Sequence, residues 1–436
     1  MSVSRFFSVA LIFVAVSAAW WVLGTTVQVR TNDLDESLSA EMASLWGPKV
    51  LAQASPYCAA TATARTQPAG AAVTRPASST ITAAVKHEHR YKGLLWYSTF
   101  DVDFTGEYRL PPADAGKDAA GNAFFVFPLP RGASTYHALE VTVDGNAATI
   151  APGDIVAGRI AVPISRDVEH TISLHYITGG QDLWLYSPGE VPSIDDSVDA
   201  PTVPAGNRLQ ELRDFSLTVT TDFAEIDYPR GTLSPTSRAE PAGGGMRATW
   251  KYPNLITRQA MGLAMPKRPN AGPIVARMSY FAPVSLLFFL TVLLAVVVLR
   301  GISLHPMHAM FIAAGFFAFH ILLAYLADVM DLQPAFWLSA SVSVLLVVTY
   351  MRLVAGVKFA LLTTGLAQLV YLVGFSYAFF WVGRTGLTIT LGAVATLFVL
   401  MQATGRVNWH ELFRRPERPI VIPPVVQGPP LPDRAG

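Results

Sequence analysis

Long apolar runs follow one another between residues 279 and 403, and only short polar segments separate them. A helix needs roughly 20 mostly apolar residues to cross about 30 Å of hydrocarbon. Because lipid offers the backbone no hydrogen-bond partners, a spanning segment must be a helix or a strand of a closed barrel. These runs are long and do not alternate with polar residues, so they predict membrane-spanning helices.

Six spans are predicted, five in this region and one near the N-terminus. Their bounds are 6–27, 279–299, 307–327, 334–351, 357–382 and 387–403. Two interpretations of the first segment remain open: a secretory signal cleaved after Val16-Ser17-Ala18, or a retained anchor. The apolar run continues past that site through Trp20 and Trp21 and is long enough to span, which favours the retained anchor.

A different pattern fills the region between the first and second spans. Apolar and polar residues alternate in segments that begin near residues 93, 139, 160, 172, 215 and 246, as in half-buried strands. Short turns such as Asp144-Gly145-Asn146 leave no room for helical crossovers, so the pattern predicts antiparallel meanders or a sandwich. One large β domain or two small ones fit equally well, with residues 201–206 as the best internal linker.

Two further segments precede these strands. Residues 32–45 have a polar start and apolar residues at helical spacing, which predicts a short helix that Trp46-Gly47-Pro48 ends. Residues 55–84 are rich in Ala, Thr, Pro and Ser and predict a largely flexible loop.

The basic residues next to the spans predict the topology. Positive charges in short loops prefer the cytoplasmic side of a membrane. One side would carry Arg5, Arg300, Arg352, Lys358, Arg406, Arg414 and Arg415, and the other only Arg384, beside Asp328 and Asp331. We therefore predict an α-helical membrane bundle with both termini cytoplasmic and the β-rich domain outside, which in a Gram-negative bacterium means an inner-membrane protein with a periplasmic domain. The predicted parts are an anchor (1–30), the periplasmic domain (31–278), the five-helix bundle (279–405) and a Pro-rich tail (406–436).

Composition and motifs argue against several function classes. The formal net charge is only +1, whereas nucleic-acid binding usually needs a clustered basic surface. The sequence contains no phosphate-binding glycine loop, nucleophile elbow or paired-cysteine metal motif. Cys58 is the single cysteine, which excludes an intrachain disulfide. We therefore predict no catalytic residue, cofactor or metal site, and we interpret His87 and His89 as part of a solvated charged strand face.

Four residues at the start of the third span, Leu304-His305-Pro306-Met307, resemble the opening motif of the CreD family of inner-membrane proteins. Asp328 matches the family's acidic residue at the far end of that helix. Residues 404–409, with Arg406 and Trp409, are similar to its segment after the last span, although Asn408 replaces the usual Asp. The resemblance implies a role in cell-envelope integrity and stress tolerance, and it carries over no catalytic residue.

Polar residues inside the predicted spans form a second group of candidates, because such groups are costly in hydrocarbon. His320 lies near mid-span, either as a neutral ring bonded to a neighbouring helix or as part of a proton or substrate relay. Thr364, Gln368 and Tyr371 share one helical face, which favours interhelical hydrogen bonds over a polar pathway. Asp328 and Asp331 are interpreted as surface carboxylates, with a divalent-ion or substrate-headgroup contact as the alternative.

Three function classes follow from these features. The resemblance favours a non-enzymatic envelope-integrity protein whose periplasmic domain binds an envelope protein or cell-wall component. The intramembrane polar groups around His320 and Gln368 favour a transporter or channel, although no pair of Gly- or Pro-broken spans supports a usual carrier design. An enzyme acting on lipid or cell wall would need a recognisable nucleophile, base or metal set, which the sequence lacks.

Overall fold

The computed structural model describes residues 3–59, 73–92, 95–112, 122–133, 135–150, 155–156, 158–165, 167–189, 203–206, 208–302, 305–381 and 383–405. Two compact units divide the chain. The bundle unit comprises Ala276–Tyr325 and the described residues of Met1–Gly24 and Gln333–Gly436. The β-rich unit comprises the described residues of Thr25–Val275 together with Leu326–Leu332.

Six helices among the described residues are long and apolar enough to cross a membrane. This confirms the prediction of six apolar helices with a β-rich region between the first and the second. The helices are α1 (Val3–Trp46), α2 (Ala271–Leu299), α3 (Pro306–Leu326), α4 (Leu332–Ala355), α5 (Val357–Phe380) and α6 (Thr385–Thr404).

The helix predicted over residues 32–45 is present, and it is continuous with the first apolar segment as one helix, α1. The helix ends at Trp46, and Gly47 follows with a φ of 90° that favours glycine, as the Gly47-Pro48 stop predicted.

Sixteen strands are assigned in the described part of the β-rich unit. They are β1 (Val50–Ala54), β2 (Tyr57–Ala59), β3 (Val73–Thr74), β4 (Ser78–Lys92), β5 (Leu95–Leu110), β6 (Asn122–Pro128), β7 (His137–Val143), β8 (Asn146–Ala147), β9 (Ile155–Val156), β10 (Arg159–Ser165), β11 (His170–Gln181), β12 (Leu183–Ser187), β13 (Gln210–Thr221), β14 (Ser237–Ala239), β15 (Met246–Thr257) and β16 (Met261–Ala264). The loop predicted over residues 55–84 is wrong where β2, β3 and the start of β4 lie, and residues 60–72 are outside the described part.

The strands form three sheets. Their strand orders are β1-β12-β16, β3-β2-β6-β10-β9 and β14-β15-β13-β4-β5-β11-β7-β8. Most neighbours are antiparallel, as predicted, but β1 pairs with β12 and β4 pairs with β13 in parallel. Short turns determine the pairing of consecutive strands only, and these parallel partners are far apart in sequence.

One apolar core joins these sheets. Strand β5 buries every second residue from Phe100 to Leu110, the alternation that the sequence predicts. Its aromatic rings stack on those of neighbouring strands, as Phe104 does on Tyr176 with 4.9 Å between ring centroids. At its start, β5 is covered on the opposite face too, because Leu95 and Tyr97 pack with Met42 of α1.

Helix α5 departs from regular α-helical geometry. It contains two π-helical segments, Ala360–Gly365 and Leu369–Gly374, and ends in a 3-10 turn, Ala378–Phe380. π-Helical turns are rare and occur often at functional sites, because they change which side chains and carbonyls face a neighbour. The irregular part of the bundle unit therefore coincides with the helix that carries Thr364, Gln368 and Tyr371.

Candidate functional site

Gln368 lies at the centre of a buried polar chain that connects three helices. Its Nε2 donates to the Ser343 hydroxyl of α4 at 3.0 Å, and that hydroxyl donates to the Gly315 carbonyl of α3 at 2.7 Å. The Gln368 and Ser343 side chains have no exposed surface in the protein. These bonds satisfy groups that would otherwise be unpaired in hydrocarbon, and they tie α3, α4 and α5 together.

Tyr371 connects α5 to two further helices. Its hydroxyl is 2.8 Å from the Thr396 hydroxyl of α6, which also donates to the Gly392 carbonyl of its own helix. The backbone carbonyl of Tyr371 accepts a bond from the Ser285 hydroxyl of α2. Tyr371 belongs to the second π-helical segment, where the backbone carbonyls no longer follow the regular α pattern.

His320 is buried in α3 and uses only one ring nitrogen. Its Nδ1 is 3.0 Å from the Phe316 carbonyl one turn earlier in the same helix. Because a carbonyl only accepts, Nδ1 carries the proton, and in the neutral ring Nε2 is an acceptor. The expected bond to a neighbouring helix is therefore replaced by a bond within α3, and Nε2 has no hydrogen-bond partner among the described residues.

Three more buried polar atoms of the bundle unit have no hydrogen-bond partner among the described residues. They are Thr364 Oγ1, Gln368 Oε1 and Trp20 Nε1. Trp20 packs edge-on against His320, with 5.4 Å between ring centroids, so a donor and an acceptor without partners occupy adjoining rings. Unpaired buried polar atoms are uncommon in native proteins and need a physical explanation.

The motif at the start of α3 organises that helix end. Pro306 is the first helical residue, where its missing N–H costs nothing. The Met307 N–H donates to His305 Nδ1 at 3.2 Å, and His308 Nδ1 is 2.7 Å from the Tyr350 hydroxyl of α4. His305 and Pro306 thus initiate the helix, while Leu304 lies outside the described residues.

Asp328, beyond the far end of α3, has a partner that the sequence did not reveal. Its carboxylate forms two bonds with the Arg30 guanidinium of α1, at 2.7 and 3.0 Å. Partial burial raises the Asp328 pKa above its ordinary value, and Arg30 opposes that shift. Asp328 is thus a paired carboxylate, whereas Asp331 is exposed as predicted. Arg406 and Trp409 lie outside the described residues.

The remaining sequence candidates are placed in the β-rich unit. No group of three or more His, Cys, Asp and Glu side chains within the described ranges could hold a metal ion. His87 contacts the Ser98 hydroxyl at 2.8 Å and packs against His89, and burial lowers the pKa of both rings. Burial also raises the pKa of the Cys58 thiol to about 12, as suits an unreactive thiol.

Sequence reasoning identified the polar face of α5 but missed its partners. Ser343, Thr396 and Ser285 are hydroxyl residues inside apolar runs, and nothing else in the sequence marks them as partners of α5. Spacing along one helix selects residues on one face, whereas bonding partners on other helices depend on packing.

A comparison with family models supplies a match for part of the chain. Residues 244–410 match the model of the family described as "Inner membrane protein CreD". The matched stretch is less than half of the chain, and it contains α2 to α6 and the motif at the start of α3. The resemblance that the sequence suggested is thereby confirmed over these residues. No curated protein matches the chain.

Proposed function

Because residues 244–410 match the CreD family of inner membrane proteins, we propose that this chain is a non-enzymatic, multi-pass inner-membrane protein that supports cell-envelope integrity. The family match carries this proposal. The α3 motif adds support, since His305 and Pro306 initiate the helix in the way their family-like positions suggest.

We propose that the β-rich unit is periplasmic and binds an envelope protein or a cell-wall component. The charges beside the helices support this side. Arg300 and Arg352 lie at the same ends of their spans, whereas Asp328 and Asp331 lie in the turn at the other end, which contains no basic residue. Both termini are then cytoplasmic.

In the large sheet, the polar face is better suited to binding a partner than the two edge regions are. Pro253 in β15 has no N–H to donate, and the pairing of β7 with β11 is interrupted by a bulge at His175 to Ile177. Both features hinder addition of another strand. Asp101, Asp103 and Glu107 are exposed on β5, so a partner that meets this sheet meets carboxylates.

The test combines a deletion strain with crosslinking in living cells. The proposal expects increased sensitivity to detergents and dyes, restored by the intact gene, and a crosslinked envelope component from a photoreactive residue at Asp103. A matched photoreactive residue at Leu353, which is exposed in the apolar helix α4, serves as the control for lipid-facing background. Normal envelope resistance in the deletion strain would overturn the envelope role.

A transporter or channel is the second candidate function. It is supported by the unpartnered atoms of His320, Thr364 and Gln368, together with the π-helical segments of α5. Purified protein in liposomes should then conduct a solute, and His320→Leu should reduce that flux at unchanged protein level. Envelope weakness in the deletion strain without solute flux would eliminate this candidate.

A further inference from the structure

Contacts inside the β-rich unit bring the ends of three predicted spans close together. Arg30 of α1 pairs with Asp328 in the turn between the spans α3 and α4. A side chain at Gly272, in the first turn of α2, would collide with Thr31 of α1. The charged ends of these spans therefore meet at one level, where hydrocarbon gives way to headgroups.

The start of β5 is hydrogen-bonded to the residue that precedes α2, close to these span ends. The Trp96 backbone N–H donates to Asn270 Oδ1 at 2.7 Å. Asn270 directly precedes α2 and is two residues from Gly272, a distance of at most about 7 Å along the chain. The paired ends of β4 and β5 thus lie next to the predicted membrane surface.

Three side chains cluster at this end of the hairpin. The Trp96 ring packs against the tilted Tyr91 ring, with 4.9 Å between ring centroids, and the Arg268 guanidinium carbon lies over the Trp96 ring at 4.6 Å from its centroid. Tyr91 is 52% exposed, although it is a large aromatic residue, and Arg268 is exposed as well. We call these three residues the headgroup patch.

Arg268 differs from the neighbouring cations in its electrostatic surroundings. Lys92 pairs with Glu41, Arg90 with Glu88 and Lys267 with Asp182. Among the described residues, no carboxylate lies within ion-pair distance of Arg268. Burial and the charge of Arg268 both lower the pKa of the neighbouring His89, and a histidine ring supplies no negative charge in either protonation state.

We propose that the headgroup patch binds the phosphate-bearing headgroup of a phospholipid in the surrounding bilayer. An arginine held on an aromatic face keeps its planar edge free, and that edge matches two phosphate oxygens. Tyrosine and tryptophan rings favour the headgroup level, where one part of the ring is apolar and the other wet. The β-rich unit then has a lipid contact in addition to its helices.

The experiment uses the full-length protein in lipid nanodiscs with a photoreactive benzophenone residue in place of Tyr91. Val168 provides the control position, because it is 56% exposed and lies at the other end of β5 from Tyr91. It precedes β11 by two residues, and the first residue of β11 pairs with Leu110, the last residue of β5. Sixteen residues of strand span about 50 Å. The proposal expects at least tenfold more phospholipid adduct at position 91 than at 168. Equal adduct yields would overturn it.

A charge variant tests the phosphate contact itself. Arg268→Gln should lower the ratio of phosphatidylglycerol to phosphatidylcholine adduct at position 91 about fivefold, since one basic residue at an anionic surface has about that effect. Arg247→Gln removes an exposed arginine of β15 and should leave the ratio unchanged. Native mass spectrometry of protein without the photoreactive residue gives a second readout, retained phosphatidylglycerol. An unchanged ratio and unchanged lipid retention in Arg268→Gln would refute the phosphate contact.

Discussion

Ser343→Ala is the substitution that most directly probes the buried polar chain. It removes two hydrogen bonds, the 2.7 Å bond to the Gly315 carbonyl and the 3.0 Å bond from Gln368 Nε2. Interhelical hydrogen bonds in membrane proteins contribute about 0.6 kcal/mol on average and up to about 1.7 kcal/mol. Two such bonds predict a loss of about 1–3 kcal/mol in the free energy of unfolding, which is about 5-fold to 150-fold in the equilibrium constant.

The assay is equilibrium unfolding of the full-length protein in mixed micelles, followed by circular dichroism. Ser341→Ala is the matched control, because Ser341 lies two residues away in α4, is exposed, and bonds only to the Trp337 carbonyl of its own helix at 2.8 Å. Its effect should stay below about 0.5 kcal/mol.

A double-mutant cycle isolates the pair. Ser343→Ala and Gln368→Leu remove the same bond, so their effects should fall short of additivity by about 0.5–1.5 kcal/mol. Equal destabilisation by Ser343→Ala and Ser341→Ala, or strict additivity in the cycle, would refute the view that this chain holds α3, α4 and α5 together.

Three further predictions follow from contacts elsewhere. Gly315→Ala places a methyl group against Val347 and should destabilise the protein by about 1–3 kcal/mol in the same unfolding assay, with Val347→Ala restoring part of the loss. Bonds from the Thr171 N–H and His170 lower the Asp144 pKa below 3.8. This carboxylate therefore stabilises the fold above that pH, and the stabilisation is lost as the pH falls. Between about pH 6 and pH 3, the thermal unfolding temperature should fall more steeply for the native chain than for Asp144→Asn. Cys58, whose pKa burial raises to about 12, should resist maleimide at neutral pH until the protein is denatured, whereas a cysteine at Val168 should react at once.

The spans and their number could be predicted from sequence because hydrocarbon imposes a length and a composition on every crossing segment. The end of α1 illustrates where that argument stops. After Arg30 the sequence is no longer continuously apolar, so hydropathy does not show that the helix runs unbroken to Trp46 or that Met42 packs with Leu95 and Tyr97. Such contacts join residues more than 50 positions apart.

In the polar site too, some features could be predicted from sequence and others depend on how the helices pack. Spacing places Thr364, Gln368 and Tyr371 on one face, and all three are buried. Spacing does not reveal that Gln368 meets Ser343, because that contact depends on how α4 and α5 pack. The π-helical segments were also beyond sequence reasoning. Each ends at a glycine, Gly365 or Gly374, but an isolated glycine in an apolar run does not by itself predict a π-helical turn.

The parallel pairs of the β-rich unit have a related cause. Strand β4 and strand β13 lie side by side although more than 100 residues separate them. Their alternation predicts that each has a buried face, as Ile81 and Leu217 show. Alternation contains no information on which strand is the neighbour, so the sheet order had to come from the structure.

Cysteine accessibility in spheroplasts tests the central claim most directly. The claim is that the β-rich unit and the turn between α3 and α4 lie on one side of the membrane, and the turn between α4 and α5 lies on the other. In a Cys58→Ser background, single cysteines replace Val168, Val329 and Val357, which are all more than half exposed. The account predicts that a membrane-impermeant maleimide labels positions 168 and 329 in intact spheroplasts and position 357 only after permeabilisation. Labelling of positions 168 and 357 from the same side would contradict it.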